Sequence, residues 1–159
     1  MTDDQHYSYI YLDTAASTSV ADEVIAEMLP YLKEQYGNPS SIHKFGRETT
    51  RAINVARKRV GEMIGASSPH EITFTSGGTE ANNLALKGTA MHIKSKMPEK
   101  NIIITSSIEH EAVLEPCKDL EDRGFVITLL PVTHEGFVRP SDLRNVISED
   151  VALVSIMYA

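Results

Sequence analysis

The 159-residue chain is 42% apolar and 23% charged, the balance of a folded globular protein and not of a disordered tail. It carries 22 acidic against 15 basic side chains, and its formal net charge of −7 argues against a whole-surface grip on nucleic acid or anionic membrane. Its longest apolar runs, Phe125–Val132 and Val151–Ala159, fall far short of the ~18–20 residues of a membrane span.

In chain order, Met1–His6 is acidic and polar and reads as no secretory leader. Tyr9–Leu12 is a brief extended candidate. Ala21–Tyr36 predicts a helix, with Asp22 and Glu23 at its positive end and Pro30 expected to kink or divide it. Gly37, Asn38 and Pro39 stop that helix and open a polar loop through His43. Phe45–Ile64 predicts a second helix, with Ile53, Ala56, Val60, Met63 and Ile64 on one stripe and Gly65 as terminator. Glu71–Thr75 then reads as a strand, followed by Ser76-Gly77-Gly78 and a helix over about Thr79–Ile93.

Asn101–Thr105 predicts a second strand, and a helix follows Glu109 as far as Arg123, closed by Gly124. Phe125–Leu130 is a third strand candidate, Ser141–Ile147 a short helix capped by Ser141, and Val151–Met157 a fourth strand. Strands alternating with helices imply an α/β fold with a mostly parallel sheet flanked by helices. The run Ile102-Ile103-Ile104 suits a strand buried on both faces. Val151–Met157 reads as an interior strand, so the chain is expected to be the first portion of a larger protein.

Chemistry in such sheets gathers beyond the carboxyl ends of the strands. At Thr73–Asn83 a strand candidate runs into Gly77 and Gly78 and a helix starts at once. The unpaired amides of a helix start, its dipole and the Thr79 hydroxyl suit a phosphate; the alternative is a tight turn capped by Ser76 or Thr79. No Gly-Lys-Ser/Thr follows the glycines, so this is not a Walker loop. His110, in Ser107-Ile108-Glu109-His110-Glu111, falls at the same sheet edge. Its imidazole suits stacking on a flat ring or moving a proton, or else a simple backbone bond at the helix start.

Glu109, His110 and Glu111 are adjacent and diverge, so no metal site is expected. Arg47, Arg51, Arg57, Lys58 and Arg59 form a basic segment, read as a solvated helix face. Cys117, the lone cysteine, cannot form an internal disulfide and fits a reducing cytoplasm. It shares a helical edge with Val113 and Leu120 and reads as a small buried hydrophobe. His6, His43, His70, His92 and His134 have no convergent partner in the sequence and are expected on surfaces or loops.

Together these stretches resemble the cysteine desulfurases of the NifS/IscS type, within the class V, fold-type I pyridoxal-phosphate enzymes. The matching segments are Tyr11–Ala16, Tyr36-Gly37-Asn38-Pro39-Ser40-Ser41 with His43 and Phe45-Gly46-Arg47, Phe74–Glu80, Ile108–Leu114 and Leu153–Met157. The resemblance implies an N-terminal segment over residues 1–20 and an incomplete large domain over 21–159. It implies a pyridoxal 5′-phosphate cofactor whose phosphate is held by Gly78 and Thr79. His110 would stack on the ring as the catalytic, proton-moving group. The implied reaction takes sulfur from L-cysteine, releases L-alanine and passes persulfide sulfur to an acceptor or scaffold protein, for iron–sulfur cluster assembly or tRNA thiolation. A homodimer, or pairing with a C-terminal counterpart, is implied as well.

The family's cofactor-anchoring lysine, its aspartate on the ring nitrogen and its sulfur-accepting cysteine belong to segments after Ala159, so this chain by itself is expected to be inactive. The asparagine-rich loop expected after Met157 lies in that direction too. Ser19 departs from a proline common in the family. Two other readings stand beside this one: a non-catalytic interaction module or half of a split enzyme, and another class V enzyme such as a selenocysteine lyase or an aminotransferase.

Overall fold

A computed structural model describes residues 10–158; Met1–His6, Tyr9 of the extended candidate and Ala159 lie outside the described residues. Residues 10–12 take no regular structure. The chain divides between Thr73 and Phe74 into two compact units. No helix among the described residues is long and apolar enough to cross a membrane.

The first unit is built on α1 (Asp22–Lys33) and α2 (Lys44–Ile64). Pro30 does not divide α1, contrary to the expectation from its missing N–H. It lies in the last turn, where little helix remains to be disrupted, and its carbonyl receives the Glu34 and Gln35 N–H groups at 2.8 and 2.9 Å. The connection into α2 is tightly closed. A Cβ on Gly46 would stand 2.2 Å from the Ser41 carbonyl oxygen, and one on Gly37 would stand 2.6 Å from Phe45 backbone. His43, expected in a loop without partners, caps α2 by accepting the Gly46 N–H at Nδ1.

Gly65 ends α2 in the left-handed conformation at φ 73°, with the Ala66 N–H closing on the Gly61 carbonyl. Ile53 and Val60 on the predicted stripe are half-buried, while Ala56, Met63 and Ile64 are exposed. Arg51, Lys58 and Arg59 are exposed, as expected of a solvated face, and the Arg57 guanidinium donates to the Ile72 carbonyl. The strand expected at Glu71–Thr75 does not form. Pro69–Glu71 is a 3₁₀ turn started by Ser68, and residues 72–75 are irregular. An extended segment becomes a strand only with a ladder partner, and none of the described strands pairs with this one.

The second unit is α/β. Three parallel strands stand in the order β2-β1-β3, with β1 (Ile102–Ser106) central, β2 (Val126–Leu130) and β3 (Val151–Ser155). One helical path precedes the sheet: α3 (Gly78–Asn83), a π-helical turn at Leu84–Gly88 and α4 (Thr89–Lys96). The sequence predicts it as one uninterrupted helix. The crossovers are α5 (Glu111–Asp122) and α6 (Pro140–Val146).

Ser141 does not cap α6: the helix starts at Pro140, whose fixed φ suits a first helical position, so Ser141 is already inside. Gly124, at φ 81°, closes the turn after α5. The core joins Leu86, Ala90, Ile103, Val113, Cys117, Leu120 and Phe125. Cys117 is therefore a buried apolar neighbour of Val113 and Leu120, as its helical register predicts. Burial pushes its thiol pKa up, with Glu109 and Glu121 adding to the shift.

Candidate functional site

The site lies wholly in the second unit, at the start of α3 and at the loop from β1 to α5. Before α3 the backbone is extended at Gly77 (φ 167°), which serves as N-cap without a side-chain bond. Neither Ser76 nor Thr79 caps the helix. Ser76 is instead a donor: its N–H and hydroxyl both reach Glu80 Oε2, at 2.6 and 2.7 Å. These bonds, the hydroxyl first, hold the Glu80 carboxyl below its ordinary pKa. With Ser76 engaged in this way, the N–H groups of Gly78 and Thr79 and the Thr79 hydroxyl donate to no acceptor among the described residues. A Cβ on Gly77 or Gly78 would meet nothing within 4 Å, so the space over this turn is open.

His110 is the N-cap of α5, and its Nδ1 accepts the Ala112 N–H at 3.0 Å. The backbone-bonded alternative is thus realised, and it does not use up the ring. With Nδ1 an acceptor, Nε2 is the nitrogen that carries the proton of the neutral imidazole. His110 is exposed, whereas its neighbour Glu109 is buried. Glu109 Oε1 receives the Ser106 hydroxyl at 2.8 Å and the Met157 N–H at 2.7 Å.

Thr79 and His110 line one cleft of about 330 Å³, with Asn83, Lys87, Glu111 and Glu115 among its other walls. Thr79, Asn83 and Lys87 recur every four residues along the helix, and Asn83 donates to the Thr79 carbonyl. The cleft's charges are largely matched from outside. Lys87 pairs with Asp119 at 3.0 Å, and Glu115 pairs with Lys118. Asp119 also takes Arg123, and Lys87 followed by Arg123 holds its carboxyl below the usual range. The donors left over are uncharged amides and a hydroxyl, a set that suits a phosphate at a helix start.

A larger groove, about 860 Å³, runs in the first unit along Pro39–Ile42 and past Arg47, Arg51 and Lys58, and has no imidazole, thiol or carboxylate in its walls. Sequence reasoning missed Glu80 as a brace, Asn83 and Lys87 as cleft walls, and Glu109 as an anchor. The four-residue spacings Ser76–Glu80 and Thr79–Asn83–Lys87 were the available signals for the first three.

Residues 10–159 match the family model for class-V aminotransferases. Two curated relatives are cysteine desulfurases IscS, from Dictyoglomus turgidum at 55% identity and from Methanosarcina thermophila at 50%. Each alignment covers 94% of this chain but only 37% and 36% of the relative, so the chain spans little more than a third of the length of these proteins. Among solved structures, a NifS-like protein superposes with a TM-score of 0.84 at 42% identity, over 91% of this chain and 38% of its own. SspA in complex with cysteine gives 0.81 at 38%, over 89% and 40%. With the family model matched along nearly all of its length, the chain belongs to the class-V aminotransferase family.

Proposed function

We propose that this chain supplies the phosphate-holding and ring-facing part of the pyridoxal 5′-phosphate site of a cysteine desulfurase. The observation that carries the reading is the juxtaposition at one cleft of a helix start with unspent amides and an imidazole with Nε2 uncommitted. Gly78 and Thr79 would hold the phosphate through two N–H groups and a hydroxyl. Open space where Cβ atoms would stand on Gly77 and Gly78 lets an anion approach the backbone. Lys87 is tied to Asp119, so the anion's partners are backbone dipoles and not a mobile cation.

His110 would lie against the ring. The Ala112 N–H holds its Nδ1, which leaves Nε2 as the atom that gives and takes a proton. The cofactor, when bound, supplies the electron sink that weakens bonds at the substrate's α-carbon. Cysteine as substrate is supported by the names of the relatives and by the neighbour solved with cysteine. The proposed overall reaction converts L-cysteine to L-alanine and passes the sulfur, as persulfide, to an acceptor or scaffold protein in the cytoplasm.

β2 and β3 are the edges of the described sheet. An open edge at β3 supports pairing with a further segment, whereas the expected homodimer rests on the resemblance alone.

Titration with pyridoxine 5′-phosphate, which lacks the aldehyde and so cannot react with surface lysines, tests the site directly. The Gly78 and Thr79 amides and the His110 ring should show the largest NMR shifts. Shifts centred elsewhere would overturn the assignment. With pyridoxal phosphate and cysteine, the 159-residue chain is expected to give no alanine; stoichiometric turnover with borohydride-trapped cofactor on one lysine would overturn that part.

A further inference from the structure

The sheet order puts the exits of β1 and β3 side by side, with Thr105 opposite Ser155. One side chain joins them. Glu109, 7% exposed, receives at a single oxygen the hydroxyl of Ser106, where β1 ends, and the N–H of Met157, just past β3. The bond from Met157 closes a span of 48 residues in sequence.

A buried carboxylate is costly unless its neighbours donate to it, and a packed apolar residue would fill the same space without that cost. What a carboxylate adds is direction: two donors, one at the end of β1 and one just past β3, fix where Oε1 sits and so restrain the backbone of residue 109. The next residue is His110, whose ring holds its orientation through a single bond to the Ala112 N–H.

We propose that Glu109 is a positioning residue: by tying the β1–α5 loop to the exit of β3, it sets the N-cap geometry that holds the His110 ring and leaves Nε2 uncommitted. This rests on the reading of His110 as the ring-facing group, but the coupling itself is measurable with no cofactor present. Burial alone does not account for the arrangement. Cys117 and Leu120 on α5 are more deeply buried, at 2% and 0%, and belong to the apolar core, whereas Glu109 is bonded to both strand exits.

Amide hydrogen exchange and ¹⁵N spectra of the His110 ring, recorded on the full chain, test this. In Glu109→Ala, exchange at the Met157 and Ala112 amides should rise at least tenfold and the His110 Nδ1 resonance should shift. Core amides such as Ile104 and Leu120 should stay within threefold. Glu109→Gln keeps an acceptor oxygen and should restore both amides to within threefold of the parent. A purely structural role would instead loosen core amides together with Ala112.

Where Glu109→Ala fails to fold, Ser106→Ala, at a fully buried position, removes one of the two donors and only one oxygen atom of volume. It should raise Ala112 exchange at least threefold and shift the His110 ring. Unchanged Ala112 exchange and ring shifts in a folded variant would overturn the proposal. Failure of pyridoxine phosphate to bind would overturn the cofactor reading and leave the Glu109–His110 coupling standing.

Discussion

Ser76 and Glu80 grip each other across the two glycines, with the carboxylate oxygen of Glu80 taking both the N–H and the hydroxyl of Ser76. The brace reaches from the first turn of α3 back to the residue before its cap, one residue further than the glutamate of a capping box, which bonds the cap residue itself. It also takes up the negative charge closest in sequence to the proposed phosphate-holding amides.

Loss of this brace should loosen the turn without unfolding the unit. In Glu80→Ala, exchange at the Ser76 amide should rise about tenfold, while Ile103 and Leu120 stay protected. The pH dependence has a definite sign. The Glu80 pKa lies below its ordinary value in the folded chain, so its contribution is fully present above the unfolded carboxylate pKa of ~4.3. It is lost as pH falls through the lowered folded value. The Ser76 amide shift should therefore be flat from pH 7 to 5 and titrate with a midpoint below that of a free glutamate. A midpoint at or above the free value would contradict the brace.

Gly78→Ala separates folding from binding. Gly78 has no positive φ, and a Cβ there meets nothing within 4 Å. Relief of backbone entropy should leave stability unchanged or raise it by ~0.4–1 kcal/mol. The same Cβ would stand where a phosphate needs close approach to the amide, so the dissociation constant for pyridoxal phosphate should rise at least tenfold. Thermal unfolding and a ³¹P titration on one sample read both effects. Equal binding by variant and parent would remove the phosphate from this turn.

The fold was legible where a signal is local. Gly65 and Gly124 end helices through positive φ, and Ile102–Ile104 names a doubly covered strand. Glu71–Thr75 carried strand-like residues, but strand formation depends on a distant partner that the sequence does not name. The π-helical turn at Leu84–Gly88 has no local marker. Within it Leu86 reaches the core and Lys87 lines the cleft, an arrangement that an ordinary α-helical register would also allow.

The site divides in the same way. The rule that chemistry follows strand exits put His110 at the same edge as Gly78. Thr79, next to Gly78, does line one cleft with His110, although the strand expected before the glycines does not form and only His110 follows a strand exit. The Glu109–Met157 bond could not be anticipated, since it depends on β3 lying beside β1.

Thr105, fully buried in β1, has the one buried side-chain polar atom without a partner among the described residues, its Oγ1. Thr105→Val keeps the β-branched shape and removes the orphaned hydroxyl, so it should stabilise the unit by ~1 kcal/mol. Chemical denaturation measures the change. A loss of stability would mean that the hydroxyl has a partner in solution.

Cys117 supplies the last test, because a lone cysteine in a chain proposed to serve a cysteine desulfurase invites assignment as a sulfur carrier. It belongs to the buried core with Val113, Leu120 and Ile103, and the residue is 2% exposed. Burial raises the thiol pKa, and the carboxylates of Glu109 and Glu121 oppose a thiolate further. The attacking species is the thiolate, so alkylation by iodoacetamide at pH 8 should run at least tenfold slower in the folded chain than in denaturant. The linkage follows in sign. A folded pKa above the unfolded ~8.5 leaves stability intact below that value and erodes it as pH rises through the folded one. Cys117→Ala should remove that alkaline loss and cost a modest ~1–2 kcal/mol for the vacated volume. Rapid labelling in the folded state, or an alkaline stability profile identical in Cys117→Ala, would show that Cys117 is not a closed apolar group.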